Sequence, residues 1–293
     1  MGDSARASAG RGAAALLICA VLAGATAAAG AGLSGGPGVV PDRTTRGPRA
    51  QTAGPIGDCS GALGASVCRV LFIGNSYTYV NRLPSAFAGL ARAGGHALQT
   101  GMLARSGETL ADHARSPLTA KALGSAGWNV VVLQEQSETP ALAYLRETRT
   151  YPAARELARA IRARGALPML FLTWAHRRGW APVGLAGYAR MQAALDRGYL
   201  VLARRLQIPL APVGEAWSAA VHGPVRLRLW QRDLSHPSPR GTYLAACVFY
   251  AAIFRSSPQG LRFHPGVTER EAATMQAIAA AVVLGDRARW GLL

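Results

Sequence analysis

The chain has 293 residues, half of them apolar and 16% charged, which excludes an intrinsically disordered protein and allows one large or two small domains. Its net charge is +17, and of its 32 basic residues only Lys121 is a lysine. The arginines fall singly or in pairs with no long basic run, so the charge reads as a bias toward GC-rich codons and not as a nucleic-acid-binding tract.

Residues 1–29 have the layout of an export signal. Arg6 and Arg11 form a positive start and Ala13 to Ala23 an apolar stretch. Ala25-Thr26-Ala27 or Ala27-Ala28-Ala29 then offers an A-x-A cleavage site. The expectation is a secreted or envelope-associated protein. An uncleaved anchor is the alternative, weakened by the alanine-rich composition of the stretch. Ile18 stands where a lipoprotein signal needs a small residue, which sets Cys19 aside. Residues 30–58 are rich in Gly, Pro, Thr and Arg and read as a flexible linker. The G-x-G-x-x-G match from Gly30 to Gly35 has no strand before it and no helix after it, so it is not a dinucleotide site.

Cys59 and Cys68 bracket a loop of small residues. In an exported protein they are expected to form a disulfide, contributing about 2.5–3 kcal/mol on the chain-entropy model. Cys247 lies in the apolar pattern Ala245-Ala246-Cys247-Val248-Phe249 and reads as a core thiol.

From Cys68 onward short apolar runs alternate with longer amphipathic stretches. Strands are expected at 69–74, 97–103, 129–134, 168–173 and 208–212. Helices are expected at 84–94, 107–122, 151–165, 184–206, 239–254 and 268–284. That alternation implies crossover connections: an α/β, three-layer α/β/α sandwich with a five-stranded, mainly parallel sheet. No repeat or second composition zone interrupts it, so residues 59–293 read as one domain. Ligands of such sheets bind at the carboxyl ends of the strands.

Four polar blocks fall at those ends. Gly74-Asn75-Ser76-Tyr77-Thr78 follows the first strand and Ser106-Gly107-Glu108-Thr109-Leu110 the second. Gln134-Glu135-Gln136-Ser137 follows the third, and Asp233-Leu234-Ser235-His236 precedes the helix at 239. A serine hydroxyl needs an adjacent base to act as a nucleophile, and histidine suits that task. Asp233, three residues before His236, can hold the imidazole from behind. The backbone N–H of Ser76, that of Gly107 and a glutamine amide, from Gln136 or from Gln134, are candidate oxyanion donors. Taken singly, each block is also an ordinary turn or helix start: Ser76 as an N-cap, Asp233 as a cap beside a surface histidine, Gly107 as a turn glycine.

In this order the blocks resemble those of the SGNH (GDSL-like) hydrolases, over about residues 68–284. The resemblance implies the flavodoxin-like SGNH hydrolase fold, a catalytic triad of Ser76, His236 and Asp233, and an oxyanion hole of Ser76, Gly107 and Gln136. Asn75 stands where the family usually has an aspartate that is not catalytic, and Gln136 where it has an asparagine.

The function expected is an exported serine esterase that hydrolyses an acyl ester, with a short acyl group on a carbohydrate or other polar carrier as its substrate. Its substrate class is thus a small-molecule or polysaccharide ester. Acyl transfer by the same triad and a catalytically weak carbohydrate-binding or envelope module are the alternatives. No cofactor is expected, and no metal, since neither H-E-x-x-H nor paired C-x-x-C occurs. No nucleic-acid partner is expected; the charge leaves association with an anionic envelope surface open. Asn75, Gln134, Trp174 and His176 are candidate cleft residues, with Trp174 equally readable as core. His96, His113, His222 and His264 read as surface or loop residues.

Overall fold

A computed structural model of the protein describes Cys59 and residues 67–292. The expected export signal (1–29) and linker (30–58) lie outside the described residues. Five strands form the main sheet: β1 (Cys68–Gly74), β2 (Leu98–Ala104), β3 (Val130–Leu133), β4 (Leu167–Phe171) and β5 (Leu210–Ala211). Their order is β2-β1-β3-β4-β5, and every neighbouring pair is parallel. The chain leaves β1 for β2 on one side and returns to β3 on the other. The carboxyl ends of β1 and β3 therefore flank the switch point at which such sheets bind ligands.

The central strands are apolar throughout because both their faces are covered. Val70, Phe72, Ile73, Val131, Val132, Leu133 and Leu170 are all at most 2% exposed. The main helices are α1 (Ser76–Tyr79), α2 (Leu83–Ala93), α3 (Leu110–Arg115), α4 (Pro117–Gly124), α5 (Tyr151–Arg162), α6 (Tyr188–Leu206), α7 (Val213–His222), α8 (Pro239–Phe254) and α9 (Glu269–Leu284). Every residue of α8 from Gly241 to Phe254 is buried, so it is apolar all round rather than striped. Its Phe249 meets Phe72 and Phe171 edge to face, with centroids 5.1 and 5.0 Å apart. Cys247 lies in the same helix, fully buried, and burial pushes its thiol pKa up. Cys59 and Cys68 are joined by a disulfide that ties the first residue of the expected domain to the first residue of β1.

Three expectations about elements are corrected. The single helix expected over 107–122 is two, because Pro117 excludes the helical conformation at Ser116, whose φ and ψ are −84° and 123°. Its true start is Thr109, which forms a capping box with Asp112, so Ser106 and Gly107 are loop. The helix expected from 184 begins at Tyr188, since a short antiparallel hairpin, Gly179–Trp180 with Leu185–Ala186, occupies the preceding chain. Helix α7 is not among the expected helices; it follows β5 after Pro212 alone. It packs tightly against the exit of β4: a Cβ on Gly214 would stand 2.3 Å from Thr173 O.

Candidate active site

The turn after β1 is held from beneath by one glutamine. Gln134 Oε1 accepts hydrogen bonds from Asn75 N at 2.9 Å and Thr78 Oγ1 at 2.8 Å. Its Nε2 donates to Asn75 Oδ1 at 2.9 Å and to Glu135 O at 2.5 Å. Gly74 is required here, because a Cβ would lie 2.4 Å from Gln134 Oε1. Asn75 uses both ends of its amide. Oδ1 caps α1 by accepting from Tyr77 N at 3.1 Å, and Nδ2 donates to Glu108 O at 2.9 Å. Ser76 is thereby presented as the first residue of α1, 8% exposed.

The turn before α8 brings the imidazole to that serine. Asp233 Oδ1 accepts from Ser235 N and His236 N, both at 3.0 Å, and Leu234 takes a left-handed φ of 63° to close the turn. Asp233 Oδ2 lies 2.6 Å from His236 Nδ1, and His236 Nε2 lies 2.9 Å from Ser76 Oγ. Burial opposes the charge on Asp233, but the N–H groups of Ser235 and His236 and the imidazole outweigh it and hold the carboxyl below its usual range. An ionised carboxylate only accepts, so His236 Nδ1 carries the proton and Nε2 is left to accept from the serine hydroxyl.

Two candidate backbone donors lie on the turns after β1 and β2, at Ser76 and Gly107. Neither Ser76 N nor Gly107 N has a hydrogen-bond partner among the described residues. Gly107 holds a left-handed φ of 72° with open space where a Cβ would be, so glycine is needed there for conformation and not for room. The side chain of Gln136 is folded back on its own loop. Its Oε1 accepts from Glu138 N at 2.9 Å and Thr139 N at 3.1 Å, and its Nε2 donates to Glu138 Oε2 at 2.7 Å. The second amide hydrogen of Gln136 is left with a 3.4 Å contact to Ser137 Oγ. Gln134, by contrast, is fully buried with both amide hydrogens committed. This removes it both as an alternative oxyanion donor and as a cleft residue. Asn75, 3% exposed, likewise braces the turn and does not line a cleft.

Trp174 is also corrected from cleft to core: it is 0% exposed. It stacks between Tyr77 and Trp217, and its Nε1 donates to Ser235 O at 3.0 Å. His176 does stand at the rim, with a side chain 17% exposed and Nε2 3.8 Å from Glu138 Oε1. Burial lowers its pKa, with Glu138 pulling the other way and His236 adding to the fall. Tyr77, Glu135 and Ser235 lie inside the sequence blocks and Glu138 directly after one, but the sequence assigned none of them a role. Tyr77 OH meets Ser235 Oγ at 2.7 Å, joining the serine turn to the histidine turn. His113 and His96 are not surface residues. His113 is 1% exposed and donates from Nε2 to Gly74 O at 2.8 Å, and His96 stacks on Phe254 at 3.9 Å. Among the described residues no group of three His, Cys, Asp or Glu side chains is placed to hold a metal ion.

No family model and no curated protein matches the sequence. Among solved structures, a protein from Slackia heliotrinireducens assigned to the SGNH hydrolases is 30% identical; the match covers 63% of this chain and 98% of that one, with a TM-score of 0.54. A protein of the DUF4886 family from Bacteroides uniformis shares the fold at 20% identity, over 75% of this chain and 96% of that one, with a TM-score of 0.64.

Proposed function

The chain belongs to the SGNH hydrolase family, and on that basis we propose that it is a serine esterase with Ser76 as nucleophile, His236 as base and Asp233 as the group that orients the base. The observation that carries this reading is the relay Asp233 Oδ2–His236 Nδ1–His236 Nε2–Ser76 Oγ, at 2.6 and 2.9 Å. Ser76 Oγ attacks the acyl carbonyl as His236 Nε2 takes its proton. The imidazolium, stabilised by Asp233, then gives that proton to the departing alkoxide. Water attacks the acyl-enzyme with His236 again as base. The oxyanion is met by Ser76 N and Gly107 N, each donor contributing roughly 3–4 kcal/mol in the transition state, and by a Gln136 amide hydrogen once it leaves its long, 3.4 Å bond to Ser137 Oγ.

The substrate class is a short acyl group on a polar carrier. Its support is the polar, half-buried character of Ser137 and Glu138 after β3, His176 after β4 and Ser235 beside His236. The large exposed apolar side chains among the described residues, Val67, Met102 and Tyr144, are on none of the turns that carry the four blocks. A long acyl chain would need an apolar trench. Hydrolysis is favoured over transfer by the openness of the dyad, whose His236 and Asp233 side chains are 33% and 45% exposed and so reachable by water. The domain 59–293 is read as working outside the cytoplasm, behind an export signal at 1–29 and a linker at 30–58; the Cys59–Cys68 disulfide suits an oxidising compartment.

The test is hydrolysis of p-nitrophenyl acetate by the purified domain and by Ser76→Ala, with fluorophosphonate labelling located by peptide mass. The expected result is loss of turnover and of label in the variant. Undiminished turnover in Ser76→Ala would overturn the assignment.

A further inference from the structure

Between the two glutamines of the β3 exit lies Glu135, whose side chain is 0% exposed. Its Oε1 accepts two backbone hydrogen bonds, from Gln136 N at 2.6 Å and from Leu110 N at 3.1 Å. Leu110 opens α3 three residues after Gly107, and the capping box of Thr109 and Asp112 fixes the chain between them. One oxygen thus grips both loops on which the outer oxyanion donors stand.

Packing alone does not account for this residue. Its Oε2 has no hydrogen-bond partner among the described residues. Burial pushes the pKa of the carboxyl up, against the pull of the Gln136 and Leu110 N–H groups and of the nearby Thr150 and Thr139 hydroxyls. A buried carboxyl with an unpartnered oxygen is destabilising, and an apolar side chain of similar volume would pack at lower cost. What the carboxyl supplies is a cross-link. Gln134 ties the β3 exit to the Asn75 turn, Asn75 Nδ2 ties that turn to Glu108 O, and Glu135 ties α3 back to the β3 exit. The three loops close into a ring around Ser76.

We propose that Glu135 is a positioning residue for the oxyanion site, setting the separation between the Gly107 N–H and the Gln136 amide. The inference rests on the esterase reading above. Glu135 acts only as an acceptor and is shielded from substrate. Displacing a donor by about 1 Å costs on the order of 100-fold in rate, so the tie governs turnover more than binding.

The experiment measures turnover per competent site, with sites titrated by a fluorophosphonate, on wild type, Ser76→Ala, Glu135→Gln, Glu135→Asp and Glu135→Leu. Glu135→Gln keeps an oxygen acceptor and is expected within about threefold of wild type. Glu135→Leu removes it and is expected to lose about 10- to 100-fold in kcat with KM changed less than about threefold. A merely structural role would lower the number of titrated sites and leave turnover per site intact; that result overturns the inference. If Glu135→Leu gives no folded protein, Glu135→Asp decides. Its withdrawn oxygen is expected to reduce turnover per site, and wild-type turnover there overturns the inference equally. Full activity in Ser76→Ala brings down the esterase reading and the inference with it. Inactive Ser76→Ala beside fully active Glu135→Leu brings down the inference alone.

Discussion

The indole of Trp174 lies flat on the ring of Tyr77, with centroids 4.6 Å apart and planes 5° from parallel. The opposite face of the indole rests on Trp217 at 4.1 Å, and its Nε1 holds Ser235 O. One buried side chain therefore registers the turn that carries Ser76 against the turn that carries His236. Trp174→Ala is expected to cost about 3–5 kcal/mol of stability, as for other buried aromatics. Trp174→Phe retains a stacking ring but leaves Ser235 O without its donor. Its expected cost is about 1–3 kcal/mol, with a fall in turnover per titrated site. Thermal melting and kcat measured together separate the two effects, and wild-type turnover in Trp174→Phe would show that the indole N–H does not position His236.

Asp233→Asn tests the orientation of the base. The asparagine retains an oxygen for Ser235 N and His236 N but can turn an NH₂ toward His236 Nδ1. That favours the tautomer with the proton on Nε2, where it cannot accept from Ser76 Oγ. The expected loss in kcat is on the order of 10³- to 10⁴-fold, comparable with the effect of the same change in other triads. Steady-state hydrolysis of p-nitrophenyl acetate measures it; a loss below tenfold would remove Asp233 from the assigned role.

Asn75 is where the family usually has aspartate, and the hydrogen bonds explain the amide. Its Nδ2 donates to Glu108 O while its Oδ1 receives Tyr77 N and Gln134 Nε2. Asn75→Asp sets an acceptor against the Glu108 carbonyl and introduces a charge at a position 3% exposed. The expected cost is about 1–3 kcal/mol, read as a lower denaturant midpoint at pH 7. Lowering the pH below about 4 should recover part of it by protonating the new carboxyl. An unchanged midpoint at pH 7 would contradict the bonding described.

Asp196 gives the pH dependence a sign. It lies on α6, receives Gln192 Nε2 at 2.8 Å, and burial raises its pKa from 3.8 to about 7. Between those values the native chain holds a proton that the unfolded chain has released. Stability from this group is therefore present below about pH 4 and lost as pH rises toward 7. The full shift corresponds to no more than about 4 kcal/mol. Asp196→Asn, an isostere of the protonated acid, should match wild type near pH 4 and exceed it at pH 8 in urea midpoint. A pH-independent difference between the two would contradict the assignment.

Much of the site is legible in the residues because its signals are local. The strand–polar-block order follows from hydrophobic period and turn composition, and Asp233-x-x-His236 spans one turn of chain, so the pair meets wherever that turn sits. The break in the expected 107–122 helix was also present in the sequence, at Pro117. The glutamines were not separable in this way. Gln134 and Gln136 are two residues apart with the same chemistry, and which amide is spent on the Asn75 turn depends on how β3 lies beside β1.

What the sequence alone determined, then, is the α/β alternation, the parallel sheet and the order in which serine, glycine, glutamine and histidine blocks reach its carboxyl edge. What only the tertiary structure decided is the partner of each polar side chain: Trp174 in the core, His113 beneath Gly74, Gln134 under the serine turn, and Glu135 between two loops. Periodicity reports which face a residue takes. Most of the contacts that assign these roles, at 2.8–3.1 Å, run between segments 25 to 160 residues apart, and only the packed sheet brings those together.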